Sequence, residues 1–276
     1  MSKAPHFIEL ETSRFCNRRC AWCPNGESAT RTEQELMDWN LFTKIIRDLA
    51  QIPYHGWLAF HNYNEPLANP RLLDEIRFAE KTLPGSTLAL FTNGDYLTSQ
   101  YADELVTAGV DHIRVTLYPA KLNASFEAPL AKEKIENWLR KKGLTTEGPR
   151  FENVRQGFAA LFKIGKCEVE VISPNLATYH YRGATAKSLN TERRKASCSM
   201  TLHSSAIDYR GRMKMCCNVY PDNVSHQKYV LGDLRESSFL TIWDSNAINA
   251  YRELHSRSDW SASPICENCN HLLPEQ

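Results

Sequence analysis

The sequence predicts an α/β protein: a partial, TIM-like parallel (β/α) barrel followed by a small α+β region. Three observations carry that expectation. Short apolar runs alternate four times with stretches of helical spacing, joined by short connections. The polar and cysteine-bearing stretches fall directly after the apolar runs, which in a parallel barrel gathers them on the C-terminal face. The last third breaks the alternation with a hairpin signal and a closing C-x2-C pair.

Taken in order, residues 7–11 alternate as a short strand. Asp38 is placed to cap a helix carrying Leu41, Phe42, Ile45, Ile46 and Leu49 on one face, ended by Pro53 and Gly56. Residues 57–60 are a nearly continuous apolar run, suited to a strand buried on both faces. After the loop His61–Glu65, Asn69-Pro70 reads as N-cap and first helical residue, opening a helix with Leu72, Leu73, Ile76 and Ala79. Residues 87–91 form a third strand, and Thr98 or Ser99 caps a helix that Gly109 closes. Residues 112–117 form a fourth strand with Ile113, Val115 and Leu117 on one face.

Beyond Pro119 the expected elements are an amphipathic helix over 132–142, a loop over 145–149, a helix over 151–162 and a strand over 166–172. Segments 201–208 and 213–217 flank Tyr209-Arg210-Gly211-Arg212 as a hairpin. A short extended piece over 230–233 precedes one helix, opened by Ser237 or Ser238 and running through Phe239, Ile242, Trp243, Ile248 and Tyr251. The boundary between the two parts is placed at residue 165, giving 1–165 and 166–276.

The chain of 276 residues has 33 basic and 32 acidic side chains, a net charge of +1. That balance argues against nucleic acid or an anionic membrane surface as partner. There is no signal-peptide core and no apolar run of membrane-spanning length, so a cytoplasmic setting is expected. Nine cysteines in such a chain point to metal rather than disulfides. Cys16, Cys20 and Cys23 form C-x3-C-x2-C directly after the first strand, a loop whose three thiolates can face one metal centre and leave a coordination position open. Cys198, Cys216, Cys266 and Cys269 form a candidate four-ligand site, for zinc or an iron–sulfur cluster on spacing alone. Cys167, in an alternating strand, reads as a packed core thiol, and Cys217 is open between ligand, structural thiol and hydrogen donor. The basic runs Arg18-Arg19 and Arg193-Arg194-Lys195 read as solvated faces.

C-x3-C-x-aromatic-C after a first strand resembles the signature of the radical S-adenosylmethionine (SAM) enzymes. The resemblance implies a [4Fe-4S] cluster on Cys16, Cys20 and Cys23, SAM on its open iron, and hydrogen abstraction by a 5′-deoxyadenosyl radical. It places Trp22 against the adenine. Asn64-Glu65-Pro66 stands where the family has Gly-Glu-Pro, giving Glu65 the SAM amino group; Asn93 and Thr116 fall where the family contacts the sugar and carboxylate. Cys198, then twelve residues, Gly211, four residues and Cys216 resembles the opening of the family's SPASM/twitch region, and Gly232-Asp233-Leu234, Ile242-Trp243 and C-x2-C continue it. This makes the second site an auxiliary [4Fe-4S] cluster, with Cys216 as ligand. The five cysteines beyond Ile172 fit one cluster, the shorter twitch type.

Tyr181-Arg182-Gly183, Phe91-Thr92-Asn93-Gly94-Asp95 and the twitch cysteines are similar to those of one group in the family, the 2-deoxy-scyllo-inosamine dehydrogenase type of antibiotic biosynthesis. That implies alcohol oxidation in an aminocyclitol or sugar, with Arg182 at the substrate, the electron passing to the auxiliary cluster, and an external donor such as flavodoxin or ferredoxin. Because guanidinium stays protonated, Arg182 is expected to orient a hydroxyl and stabilise an alkoxide. The segment from Ala120 to Lys166 is longer than that group requires and could reshape the pocket. The alternatives are a redox-neutral epimerase or dehydratase, with Cys217 or Cys167 as hydrogen donor, and a peptide-modifying enzyme. The start of the chain at the first strand argues against a leader-peptide domain or a cobalamin domain.

Overall fold

The computed structural model describes residues 4–26, 33–52, 54–119, 125–144, 148–178, 182–185, 193–269 and 271. Pro53, residues 145–147 of the expected loop and Tyr181 lie outside them. The expected strands form as β1 (Phe7–Leu10), β2 (Trp57–Phe60), β3 (Thr87–Thr92) and β4 (His112–Thr116). They pair in parallel: Phe7 opposite Trp57, Trp57 opposite Thr87, and Ala89 opposite His112.

The crossovers are α1 (Trp39–Ala50), α2 (Leu72–Thr82) and α3 (Ser99–Ala108). Asp38 caps α1 by accepting from Leu41 N at 3.0 Å, and Thr98 caps α3 by accepting from Tyr101 N at 3.1 Å. Gly109 closes α3 in the left-handed region. The spacing of Leu41, Phe42, Ile45, Ile46 and Leu49 puts all five in the core under the sheet. Complete burial of each such side chain contributes on the order of 2 kcal/mol. The helix begins two residues later than expected, and Asn69 acts in the turn before it. Its Oδ1 accepts from Arg71 N at 2.9 Å, leaving Pro70 in the turn and starting α2 at Leu72.

Two expectations fail beyond Pro119. α4 (Ala128–Lys142) forms, but the helix expected over 151–162 is a hairpin of β5 (Arg150–Val154) and β6 (Gly157–Ile164). The cause is β7 (Cys167–Pro174), which pairs antiparallel with β6 from Gly157↔Pro174 to Ile164↔Cys167. A Cβ at Gly157 would lie 2.2 Å from Ser173 O, so only glycine lets the two backbones approach there. The single C-terminal helix is two, α6 (Phe239–Trp243) and α7 (Asn246–Ser256). Ser238 caps the first and Ser245 re-caps the second, so a second cap interrupts a continuous apolar pattern.

β7 also pairs in parallel with β4, and β8 (Ser204–Ile207), reached through the single turn α5 (Met200–His203), pairs in parallel with β1. β9 (Arg212–Lys214) and β10 (Val230–Asp233) extend that side antiparallel. Among the described residues the ten-stranded sheet has the order β10-β9-β8-β1-β2-β3-β4-β7-β6-β5, a core of six parallel strands with antiparallel wings. Among the described residues no helix is long and apolar enough to cross a membrane.

Candidate active site

The C-terminal ends of β1 to β4 open on one cavity of about 230 Å3. Its wall contains Cys16, Cys20 and Cys23 from the loop after β1, together with Trp22, Glu65, Asn93, Thr116 and Arg182. Every residue that the sequence nominated for SAM or substrate therefore faces one space. A second cavity, of about 20 Å3, is lined by Cys198, Cys216, Cys266 and Cys269. Cys216 and its neighbour Cys217 point to different cavities, Cys216 to the small one and Cys217 to the large one. Cys167 is buried in the core.

Glu65 is fixed by the loop after β2. Its Oε1 accepts from Thr92 Oγ1 at 2.5 Å and from Leu67 N at 3.1 Å, and its Oε2 accepts from Asn93 N at 2.9 Å. Burial pushes the carboxyl up to about 7, against these three hydrogen bonds. An ammonium group beside it would restore the charged form. Asn93 extends the network to the cysteine loop by donating from Nδ2 to Asn17 Oδ1 at 2.8 Å. Trp22, 5% exposed, lies with its ring centroid 5.3 Å from that of Tyr118. Among the described residues its buried indole Nε1 has no hydrogen-bond partner.

One arginine of each basic run is built into the structure, while Arg19, Arg193 and Lys195 are exposed as expected of solvated faces. Arg18 holds Asp95 with Nε and Nη2 at 2.7 and 2.5 Å, and Asn17 Nδ2 adds a third bond at 2.8 Å. Burial works against the Asp95 charge, but the hydrogen bonds from Arg18 and Asn17 outweigh it and hold the carboxyl below its usual range. Arg194 donates to the carbonyls of Cys269 at 3.0 Å and His271 at 2.7 Å, fixing the closing hook of the second cysteine set. The composition of these runs carried no sign of their partners, which lie some 75 residues away in sequence.

Arg182 is held in the left-handed region at φ 52°. Its Nη1 reaches Asn218 Oδ1 at 3.5 Å, and among the described residues its buried Nε has no hydrogen-bond partner. Asn218 in turn donates to Cys269 Sγ at 3.8 Å. The next residue, Gly183, lines the second cavity, so this turn separates the two spaces. His226 fixes the turn. Its Nδ1 accepts from Tyr220 N at 3.0 Å, which leaves the proton on Nε2 to donate to Gly183 O at 2.7 Å. A Cβ at Gly183 would lie 3.1 Å from His226 Cε1 and 3.2 Å from Asn218 O, at a φ of 61°.

The donor sets fit iron–sulfur clusters. Burial pushes the thiols of Cys16 and Cys266 up to about 12 and that of Cys20 to about 11, so each ionises readily only beside a cationic metal. Among the described residues no three metal-ligating side chains converge tightly enough for a single ion. Three thiols around one cavity and four around the other are donor sets of the kind that hold iron–sulfur clusters.

Comparison with known proteins agrees with this geometry. Residues 10–118 match the radical SAM superfamily, and residues 198–270 match the SPASM iron–sulfur cluster-binding domain. Over 99% of its length the chain is 23% identical to the S-adenosyl-L-methionine-dependent 2-deoxy-scyllo-inosamine dehydrogenase of Niallia circulans, covering 95% of that protein. It is 34% identical over 38% of its length to the tungsten-containing aldehyde ferredoxin oxidoreductase cofactor-modifying protein of Pyrococcus furiosus, covering 28% of that protein. The crystal structure of BtrN in complex with AdoMet and 2-DOIA superposes with a TM-score of 0.77 at 23% identity, covering 99% of this chain and 95% of BtrN. The radical SAM domain implies a four-iron cluster and SAM, and the SPASM domain implies auxiliary iron–sulfur. Three thiols beside a buried carboxylate in one cavity, with four thiols around the next, thus belong to a radical SAM domain over residues 10–118 and a SPASM iron–sulfur domain over residues 198–270.

Proposed function

We propose that this enzyme oxidises a secondary alcohol of an aminocyclitol or sugar-like metabolite to a ketone. The carrying observation is that Arg182 faces the cavity of the three-cysteine loop while its turn borders the second cysteine cavity. The full-length likeness to an aminocyclitol dehydrogenase supports the same reading. SAM and a reduced cluster, held where Cys16, Cys20, Cys23 and Glu65 line the cavity, would supply the radical chemistry that removes one C–H hydrogen atom.

The chain's own residues then have separate tasks. Cys16, Cys20 and Cys23 hold the first cluster, and Glu65 takes the SAM ammonium. Trp22 covers the adenine, and Asn93 and Thr116 bind the ribose and carboxylate end. Arg182 orients the hydroxyl and stabilises the oxygen as its proton leaves. One electron must also leave the substrate, and Cys198, Cys216, Cys266 and Cys269 would hold an auxiliary cluster able to accept it. Residues 1–165 carry the radical chemistry and 166–276 the electron-accepting part, with a flavodoxin or ferredoxin reducing the first cluster.

Anaerobic incubation with SAM, a reductant and a panel of aminocyclitols and sugars tests the reading. Ketone and 5′-deoxyadenosine in equal amounts are expected. A second reading, epimerisation, is favoured by Cys217 lining the same cavity as Arg182, where a thiol could return a hydrogen atom. Deuterium from labelled water at a substrate carbon, with no ketone, would select it.

A further inference from the structure

The oxidation proposed above takes from an alcohol a hydrogen atom on carbon, a proton on oxygen and one further electron. That reading sends the hydrogen atom to the SAM-derived radical and the electron to the auxiliary cluster, and it leaves the proton without an acceptor. Arg182 cannot take it, because a guanidinium is already protonated.

His61 directly follows β2 and lines the large cavity together with Arg182. Its ring packs on Phe91, with the centroids 4.4 Å apart. Its Nε2 is buried, 3.8 Å from Glu9 Oε1 and, among the described residues, without a hydrogen-bond partner. The side chain as a whole is 16% exposed, so its open edge is not the Nε2 edge. In a neutral imidazole one nitrogen carries the proton and the other accepts. The carboxylate beside Nε2 favours the proton there, which leaves Nδ1 as the basic nitrogen. Burial lowers the imidazole to about 4; Arg182, Arg114 of β4 and Lys214 of β9 act in the same direction, and Glu9 of β1 acts against them. The ring is therefore neutral at pH 7 and free to accept.

Hydrogen bonds tie this pair to the Arg182 turn. Asn62, the residue after His61, donates to Glu9 Oε2 at 2.5 Å and to Cys217 O at 3.1 Å. Asn218, the residue after Cys217, accepts from Arg182 Nη1 at 3.5 Å. Imidazole, carboxylate and guanidinium are thus parts of one connected wall. The wall's other histidine, His271, also borders the small cavity, two residues from Cys269.

We propose that His61 is the proton acceptor of this oxidation, taking the hydroxyl proton on Nδ1 while Glu9 stabilises the imidazolium that forms. The inference rests on alcohol oxidation as the reaction. Once carbon has lost its hydrogen atom, the neighbouring hydroxyl is far more acidic than that of the parent alcohol, so a weak base suffices. The O–H bond breaks towards His61 and its electron pair stays on oxygen. Departure of one electron to the four-iron auxiliary cluster then completes the C=O bond. The imidazolium returns its proton to water.

The test uses the full-length, iron-loaded enzyme with SAM, reductant and the panel of aminocyclitols and sugars, and measures ketone and 5′-deoxyadenosine together. His61→Ala should lower ketone formation about a hundredfold. First-turnover 5′-deoxyadenosine and SAM affinity should change little, so ketone falls far short of 5′-deoxyadenosine. Added imidazole should raise ketone formation in His61→Ala several-fold and leave the wild type unchanged, a rescue that a merely packed ring would not give. His61→Gln, similar in size but unable to take up a proton, should show the same shortfall without rescue, and it decides the matter should His61→Ala fail to load iron. Ketone and 5′-deoxyadenosine in equal amounts in either variant, or loss of iron from both, would overturn the inference. Absence of ketone from the wild type across the whole panel would overturn the oxidation reading itself, and this inference with it.

Discussion

Arg18 grips Asp95 through two guanidinium nitrogens, at 2.7 and 2.5 Å, and so ties the cysteine loop after β1 to the loop after β3. Asn17 reinforces the tie from the same loop, and Lys142 at the end of α4 donates to the Asp95 carbonyl at 2.7 Å. The loop carrying Cys16, Cys20 and Cys23 is thereby clamped to its neighbour by hydrogen bonds that involve none of the three thiols.

Asp95→Asn should loosen that loop at modest cost to the fold. The pair is partly exposed, so about 1 kcal/mol is expected from its loss. The larger effect should fall on SAM affinity, weakened several-fold. A denaturant midpoint compared with a SAM titration separates the two, and equal SAM affinity in variant and parent would show that the clamp does not position the loop.

SAM binding should weaken in acid. Burial raises Glu65 to about 7 in the ligand-free protein, and the carboxylate, not the acid, is the partner an ammonium needs. Affinity should therefore fall as pH drops through about 7, by up to tenfold per unit. Glu65→Gln should bind weakly at every pH, with a flattened profile. Calorimetric titration between pH 6 and 8.5 reads this, and a wild-type affinity independent of pH would contradict it.

Folding stability should also decline in acid. Burial lowers His61 and His255 to about 4, against about 6.5 in an unfolded chain. Unfolded protein then binds more protons than folded protein as pH falls from about 6.5 towards 4. Each histidine removes up to about 1.4 kcal/mol per pH unit across that window, and its contribution is complete above it. His255→Gln forfeits the bond to Ser263 at 2.8 Å but should show a shallower loss of denaturation midpoint with falling pH. Parallel slopes in variant and parent would count against the assignment.

Cys216 and Cys217 should behave differently despite adjacency. Cys216→Ala should reduce iron and labile sulfide from about eight to about four per chain, because its thiol lines the smaller cavity. Cys217→Ala should keep the full complement, because its thiol faces the larger cavity. A dehydrogenase should survive the second change, whereas an epimerase using that thiol should stall.

Much of this was legible because the signals are local. Four strand–helix units follow from periodicity within a dozen residues, and C-x3-C-x2-C needs no partner to be read. Glu65 was visible from its immediate neighbours. The hairpin of β5 and β6 was not, because a short apolar run takes its conformation from whatever pairs with it, here β7. Arg18 and Arg194 were misjudged for a similar reason. A basic pair looks solvated until the fold brings Asp95 or the carbonyls of Cys269 and His271 to it.

The pairing of β1 with β8, Phe7 opposite Ser204, has a consequence for biogenesis. On the ribosome β1 emerges first, yet the strand that completes one of its two edges is made roughly 200 residues later. Closing so long a loop is slow, because its entropy is lost before the pairing is gained. During that interval the cysteine loop at the end of β1 has half of its anchoring strand unpaired, accessible to iron delivery and equally exposed to oxygen. Maturation of the first metal centre and completion of the sheet should therefore compete in time, and slow synthesis of the last third would favour iron-loaded protein.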